Sequence, residues 1–313
     1  MEMDKLHFLT AGIPTIAKDY KAACDSLRNL KLDGFEIEFV HGVRLSPENQ
    51  EKLIEDKKGL IFTSHAPYYI NLNAKEEEKV IASINRISQT ADMANHLGGY
   101  SITYHAGFYL GQDKKTVFEN IKKCHETLCE YLEKENNKIW IRPETTGKST
   151  QWGDLDEIIE LSSMFPQVLP CVDFAHIHAR SGGDFNTYDD FCNIFEKIGN
   201  KLGDIALKNF HAHVAGIEYS SKGEKKHLIL EESDMNYKDL LKAFKKFGVC
   251  GALVCESPNI EGDAVILKEY YESLWFWLRI AKRINSPKPN WRALGFKNDV
   301  SKFKRRNNTS KLF

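Results

Sequence analysis

No run of about 18 apolar residues occurs in this 313-residue chain, so a membrane-crossing helix is not expected. The opening MEMDKLHFLTAG carries only a short apolar stretch flanked by acids, so no secretory signal is expected. The seven cysteines lie apart, without a CxxC pair, and Cys171, Cys250 and Cys255 sit in or beside apolar runs. That pattern argues against a disulfide framework or a thiolate zinc site and points to reduced thiols packed in a cytoplasmic protein. A GxGxxG turn is absent, which removes the usual support for a dinucleotide-binding open sheet. Charge of one sign is lacking overall: the net value is −1, which does not announce a nucleic-acid binder. The average hides an asymmetry. From Lys282 onward, ten Lys/Arg face the single acid Asp299, so this end is about +9 and the body about −10. A basic end adds non-specific attraction to phosphate backbones, or is simply solvated.

What is present is a 42% hydrophobic chain, enough for a full core. Short apolar, β-branched runs are predicted as strands at 5–12, 34–40, 60–66, 99–107, 138–144, 168–176, 205–216 and 252–258. Amphipathic segments of helical period lie between them, such as KVIASINRISQTADMANHLG and NYKDLLKAFKKFG, the latter stopped by a glycine after lysines. Eight strands alternating with helices predict an α/β fold, a (β/α)8 TIM barrel forming a single domain over 1–284, with a basic tail over 285–313.

In such a barrel the C-terminal strand ends build the mouth. Here the third strand ends in His65, the fourth in His105, the fifth in Glu144, the sixth in Asp173 with His176 beyond, the seventh in His213 and the eighth in Glu256. One such residue is ordinary. Six in register would bury costly polar surface unless something offsets it. Divalent cations do so, and a thiolate-free His/Asp/Glu set suits Zn²⁺, with Mn²⁺ or Fe²⁺ as competitors. His178 is read as a supporting or solvent-facing residue. His211 shares strand parity with His213 and is read as a deeper core histidine behind it.

The motifs SHAPYYINL (64–72), YHAG (104–107), PETTGKSTQWG (143–153), CVDFAHIHARSGGD (171–184) and CESP (255–258), in this order, resemble endonuclease IV. This is the zinc-dependent apurinic/apyrimidinic endonuclease family of the xylose-isomerase-like TIM barrels. The likeness runs from about residue 5 to 280. It implies a first metal site at His65, His105 and Glu144, and a second at Glu144, Asp173, His213 and Glu256, with Glu144 bridging. His176 and His227 match two ligands of a third. The remaining ligand position, an Asp two residues before the last His, falls on Lys225 in GEKKHLIL (223–230), where Glu224 substitutes only if the loop shifts by one residue. Two or three Zn²⁺ ions are therefore expected.

The first strand also lacks the family's HVSxAGG-like loop, and the second carries Glu36 and Glu38, as in sugar isomerase and epimerase cousins; the plain reading pairs Glu38 with a cation inside the barrel. Tyr68 and Tyr69 match positions that wedge into the minor groove, an accepted way to hold a flipped nucleotide. The resemblance implies a DNA-repair hydrolase acting as a monomer on double-stranded DNA. It would cleave 5′ to an abasic site, with Glu144 and Glu256 in catalytic roles. Arg180, Lys222, Lys225 and Lys226 are read as rim-loop residues able to meet phosphates. The alternatives are a metal-dependent sugar isomerase or epimerase, in which Glu144 and Glu256 move protons beside a carbonyl, and an inactive metal- or DNA-binding barrel.

Overall fold

The alternation read from the sequence builds eight parallel strands. The computed structural model describes residues 3–283, so the basic tail over 285–313 lies outside the described residues. The strands are β1 (Leu6–Ala11), β2 (Gly34–Glu38), β3 (Ile61–His65), β4 (Ser101–Tyr104), β5 (Trp140–Pro143), β6 (Cys171–Asp173), β7 (Phe210–Val214) and β8 (Gly251–Cys255). Their ladder runs β5-β4-β3-β2-β1-β8-β7-β6. Isolated parallel bridges, Ile141 to Val168 and Glu144 to Cys171, join its two ends into a nearly closed barrel. Among the described residues, those up to Tyr271 form one compact unit.

The helices are α1 (Tyr20–Asn29), α2 (Pro47–Asp56), α3 (Glu77–His96), α4 (Lys114–Lys134), α5 (Leu155–Ser162), α6 (Phe174–Arg180), α7 (Tyr188–Leu202), α8 (Asp204–Lys208), α9 (Tyr237–Phe247) and α10 (Glu261–Arg283). Local chemistry sets their ends. Asp113 accepts from the Thr116 amide to start α4, Thr187 and Asp190 form a capping box on α7, and Gly248 closes α9 in the left-handed conformation. Apolar faces of α3 and α4, including Ile87, Ala91, Ile121 and Leu128, pack with Ile102 and Ile141 in one core cluster. No helix among the described residues is long and apolar enough to cross a membrane.

Of the predicted strands that come out shorter, two are cut for a clear local reason. The 168–176 run keeps only Cys171–Asp173 as strand, because the Asp173 carboxylate accepts the His176 amide at 2.7 Å and starts α6 there. The 205–216 run begins as the short helix α8, with Gly203 at φ +78 before it, and becomes strand only at Phe210. Two antiparallel ladders also stand outside the barrel, Gly107–Phe108 with Gln151–Trp152, and the hairpin of Gly216–Ser220 with Gly223–Leu228.

Candidate metal centre

Glu144 follows β5, is 1% exposed, and stands at the centre of the strand-end cluster. Its Oε2 lies 3.2 Å from His65 Nε2. Its Oε1 lies 3.2 Å from His105 Nε2, 3.2 Å from His176 Nδ1 and 3.5 Å from His213 Nδ1. Glu256, following β8, places Oε1 3.2 Å from His213 Nδ1. Asp173 spends Oδ1 on capping α6 and turns Oδ2 to 3.1 Å from His176 Nδ1. In three triads, His65–His105–Glu144, Glu144–Asp173–His213 and Asp173–His176–His227, the potential ligand atoms all lie within 4.8 Å of one another.

The histidines are oriented from behind. His65 Nδ1 is 2.7 Å from the Ala66 carbonyl, His176 Nδ1 is 3.0 Å from the Thr145 carbonyl, and His227 Nδ1 is 3.2 Å from the Glu256 carbonyl. A carbonyl can only accept, so each Nδ1 carries the proton and each Nε2 keeps its lone pair. Those lone pairs meet carboxylates: His65 Nε2 faces Glu144, His176 Nε2 faces Glu224 Oε2 at 2.9 Å, and His227 Nε2 lies 4.0 Å from Glu256 Oε2. Lone pair against lone pair repels unless a proton or a cation sits between. Glu144 Oε1, Asp173 Oδ2, Glu224 Oε2 and Glu256 Oε2 are moreover buried without a hydrogen-bond partner among the described residues. Nitrogen and oxygen donors, orphaned and convergent, fit divalent ions of the zinc, manganese or iron class.

The electrostatics agree. Burial would raise the Glu144 carboxyl, but the charges of His105 and His213 hold it well below the usual range. Burial pushes Asp173 up to about 6, with Glu256 and Glu144 adding to the shift and His176 opposing it. Burial also opposes ionisation of Glu224, yet His176 and Lys148 bring it down to about 2. His65 loses to burial but is pushed up to about 10 by Glu144. Without a cation, protons on the imidazoles do the neutralising.

Glu224 reaches the centre through a backbone irregularity. On the Gly216–Leu228 hairpin, Glu218 pairs with Lys226 and Tyr219 with Glu224, leaving Lys225 as the extra residue of a β-bulge. In an unbroken strand Glu224 and His227, three apart, would face opposite sides. The bulge turns both toward the centre and sends Lys225 outward to Glu218, 3.0 Å away. Lys148 holds the Glu224 carboxylate from the other side at 3.1 Å.

Other sequence expectations resolve individually. Arg180 is not in a rim loop: it ends α6, and its guanidinium is spent on Thr146 and on the carbonyls of Lys148 and Gln151, bracing the loop after β5. Internal acceptors, not phosphates, therefore hold it. His178 does not face solvent; it is buried between the Phe185 carbonyl and Asp234 and does not join the centre. Among the described residues Glu38 Oε1 is buried without a hydrogen-bond partner, and burial pushes its carboxyl up to about 8 against the opposing charge of His65. Lys226 lies 3.5 Å from Glu218, and Lys222 is exposed in the hairpin turn. Tyr68 and Tyr69 are 59% and 64% exposed on the rim, with the Tyr68 ring 5.6 Å from the His65 ring. They line a groove with Lys75, Arg86 and Phe108. Sequence reasoning missed Thr145, which ties Asp173 by donating to its carbonyl and accepting from its amide, and the reach of Glu36 to His213 at 3.0 Å.

The chain matches the family model described as a xylose isomerase-like TIM barrel over residues 24–280. It is 47% identical to "Uncharacterized protein MJ0133" of Methanocaldococcus jannaschii, over 86% of this chain and 98% of that one. It is 27% identical to "Probable endonuclease 4" of Mycoplasma pneumoniae, where the match covers 59% of this chain and only 63% of that protein. Among solved structures, a D-tagatose 3-epimerase-like protein superposes with a TM-score of 0.67 at 20% identity, covering 88% of this chain and all of that one. The last likeness carries fold alone.

Proposed function

Because the chain belongs to the xylose isomerase-like TIM-barrel family, we propose that it is a metal-dependent phosphodiesterase hydrolysing DNA 5′ to an abasic site. The observation that carries this reading is the surplus of donors. Epimerisation at carbon asks for one cation and two proton-moving carboxylates, which Glu144, Asp173, His213 and Glu256 would meet. His65 and His105 on one side of Glu144, and His176, His227 and Glu224 beside Asp173, then have no purpose. A phosphodiester, with several charged oxygens and a poor leaving group, uses such additional cations.

In this reading His65, His105 and Glu144 would hold one ion, Glu144, Asp173, His213 and Glu256 a second, and His176, His227 and Glu224 a third. When bound, the ions supply an acidified water and offset charge on the phosphate. The chain's own groups do the rest. The free Oε2 of Glu256 accepts a hydrogen bond from the attacking water and aims it at phosphorus. As the water oxygen bonds to phosphorus its proton passes to Glu256, the bond to the 3′ oxygen breaks and that oxygen takes a proton from solvent. This leaves a 3′-hydroxyl on one fragment of the nicked strand and the phosphate on the abasic sugar of the other. Tyr68 and Tyr69 offer flat apolar faces for an unstacked nucleotide, and Lys222, Lys225 and Lys226 offer cations to the flanking backbone.

The test is a duplex carrying one tetrahydrofuran abasic analogue. Incision with a 3′-hydroxyl product, lost with chelator and in Glu144→Gln and restored to wild type by Zn²⁺, is expected. An intact duplex with metal-loaded protein rejects the reading. A sugar epimerase is the second reading, favoured by one observation: Glu38 brings a further carboxyl into the barrel, its Oε1 buried without a hydrogen-bond partner among the described residues, where it could exchange a proton with carbon. Deuterium uptake by a ketose in heavy water, without any DNA, would favour it.

A further inference from the structure

His213 is fixed differently from His65, His176 and His227. His65, His176 and His227 each turn one nitrogen to a backbone carbonyl. Among the described residues His213 has no such carbonyl contact. Its Nδ1 faces Glu256 and Glu144, and its Nε2 lies 3.0 Å from Oε1 of Glu36. The second oxygen of Glu36 lies 3.2 Å from His211 Nε2, and Ser101 Oγ lies 2.9 Å from His211 Nδ1. Glu36, His211 and His213 are fully buried on β2 and β7, with Glu36 and His211 two residues deeper than Glu38 and His213.

We infer that Glu36 is a positioning residue: its carboxylate takes the Nε2–H of His213 and so presents the Nδ1 lone pair to the centre. An imidazole bound through one nitrogen carries its proton on the other, and that N–H needs an acceptor. Glu36 is the acceptor the fold places there. Its two oxygens divide the work, one for each histidine. Ser101 can donate its hydroxyl to His211 Nδ1, which puts the His211 proton on Nε2, toward Glu36. In this structure Glu36 Oε1 and Oε2 and the Nε2 atoms of His211 and His213 stand within 3.2 Å of one another as N···O pairs without completed hydrogen bonds among the described residues. In the assigned tautomers the chain Ser101–His211–Glu36–His213 is directional, with one lone pair delivered at the rim. Strand parity explains how it assembles: Glu36 on β2 and both His211 and His213 on β7 point into the barrel, and no loop intervenes. Glu38, two residues on, also shares this parity, but it is Glu36 whose oxygens stand 3.0 and 3.2 Å from His213 and His211.

The proposal rests on His213 serving the centre described above and deepens that reading, but its test does not involve DNA. In Zn²⁺-loaded full-length protein, long-range ¹H–¹⁵N correlation of the histidine rings, with His213 assigned by its loss in His213→Gln, should find the proton on Nε2. A proton on Nδ1 overturns the proposal, and this measurement needs no variant at Glu36. Glu36→Gln cannot accept from both rings, since one of its two positions is a donor. It should bind Zn²⁺ roughly 10- to 100-fold more weakly in chelator competition. Unchanged affinity in a folded Glu36→Gln protein would contradict the assignment. Cys171 lies in one cluster with His211 and His213. A cobalt–thiolate charge-transfer band on Co²⁺ loading would therefore put the ion on the wrong side of the ring and overturn it as well. Failure to incise DNA would leave all three readouts standing.

Discussion

Glu224 Oε2 lies 2.9 Å from His176 Nε2, although Glu224 stands at odd spacing from the neighbouring strand residue His227. The bulge at Lys225 reconciles the two. If His176, His227 and Glu224 hold an ion of their own, Glu224→Ala lowers the bound divalent content by about one per chain and leaves the ions beside Glu144. Elemental analysis of protein dialysed against Zn²⁺ checks it, and unchanged stoichiometry would show Glu224 to be a bystander.

Gly147 leaves room for that carboxylate. A Cβ at Gly147 would overlap Glu224 Oε2 and crowd its Cβ and Cδ. Gly147→Ala should therefore reproduce the metal loss of Glu224→Ala while thermal stability changes little. Full metal content in Gly147→Ala would mean that the loop after β5 yields instead.

Much of this was legible in the sequence and some was not. His65, His105, Glu144, Asp173 and Glu256 were found because strand ends in a barrel converge whatever the details of packing. The position of Glu224 was open because a bulge costs no sequence signal: GEKKHL alternates no differently from an ordinary edge strand. Arg180 looked like a free cation because its acceptors are backbone carbonyls of a loop some thirty residues earlier. Glu36 had a parity signal, since Glu36, Glu38, His211 and His213 all point inward, but the choice of partner depends on register across the barrel. His176 fell on a helix because Asp173 both caps α6 and faces the centre, two roles that one carboxylate performs with its two oxygens.

Arg142 is a buried charge below the centre, 1% exposed. It donates to the carbonyls of Pro170 and Asn209 at 3.1 and 2.6 Å, and its guanidinium lies 5.3 Å from the Tyr100 ring centroid. Arg142→Met removes these donors and strands their acceptors. A loss of roughly 2–4 kcal/mol in urea unfolding is expected. A variant as stable as wild type would show that water or repacking satisfies those carbonyls.

His125 sits fully buried, with Nδ1 2.8 Å from the Ile121 carbonyl and Nε2 2.7 Å from the Tyr104 hydroxyl. The carbonyl takes a proton from Nδ1, so Nε2 accepts and the ring is neutral. Burial lowers its pKa from 6.5 to about 4. The unfolded chain thus binds a proton that the folded chain refuses, and stability is full above pH 6.5 and falls as pH drops toward 4. The loss is on the order of 3 kcal/mol. His125→Leu should remove this pH dependence from the variant, so that the difference between wild-type and variant stability changes between pH 6.5 and 4; parallel curves would argue against a neutral buried ring.

Tyr68 is exposed beside the centre without belonging to it. Tyr68→Ala should weaken binding of an abasic duplex by about 1–3 kcal/mol, the scale of an aromatic–base stack, at unchanged metal content. Equal affinity by anisotropy would remove Tyr68 from the DNA contact.

The most direct test of the account is anomalous diffraction at the zinc edge from crystals of the Zn²⁺-loaded protein. Peaks are expected within bonding reach of Glu144, one shared with His65 and His105 and another with Asp173, His213 and Glu256. A map with bound zinc elsewhere and nothing against Glu144 would contradict it.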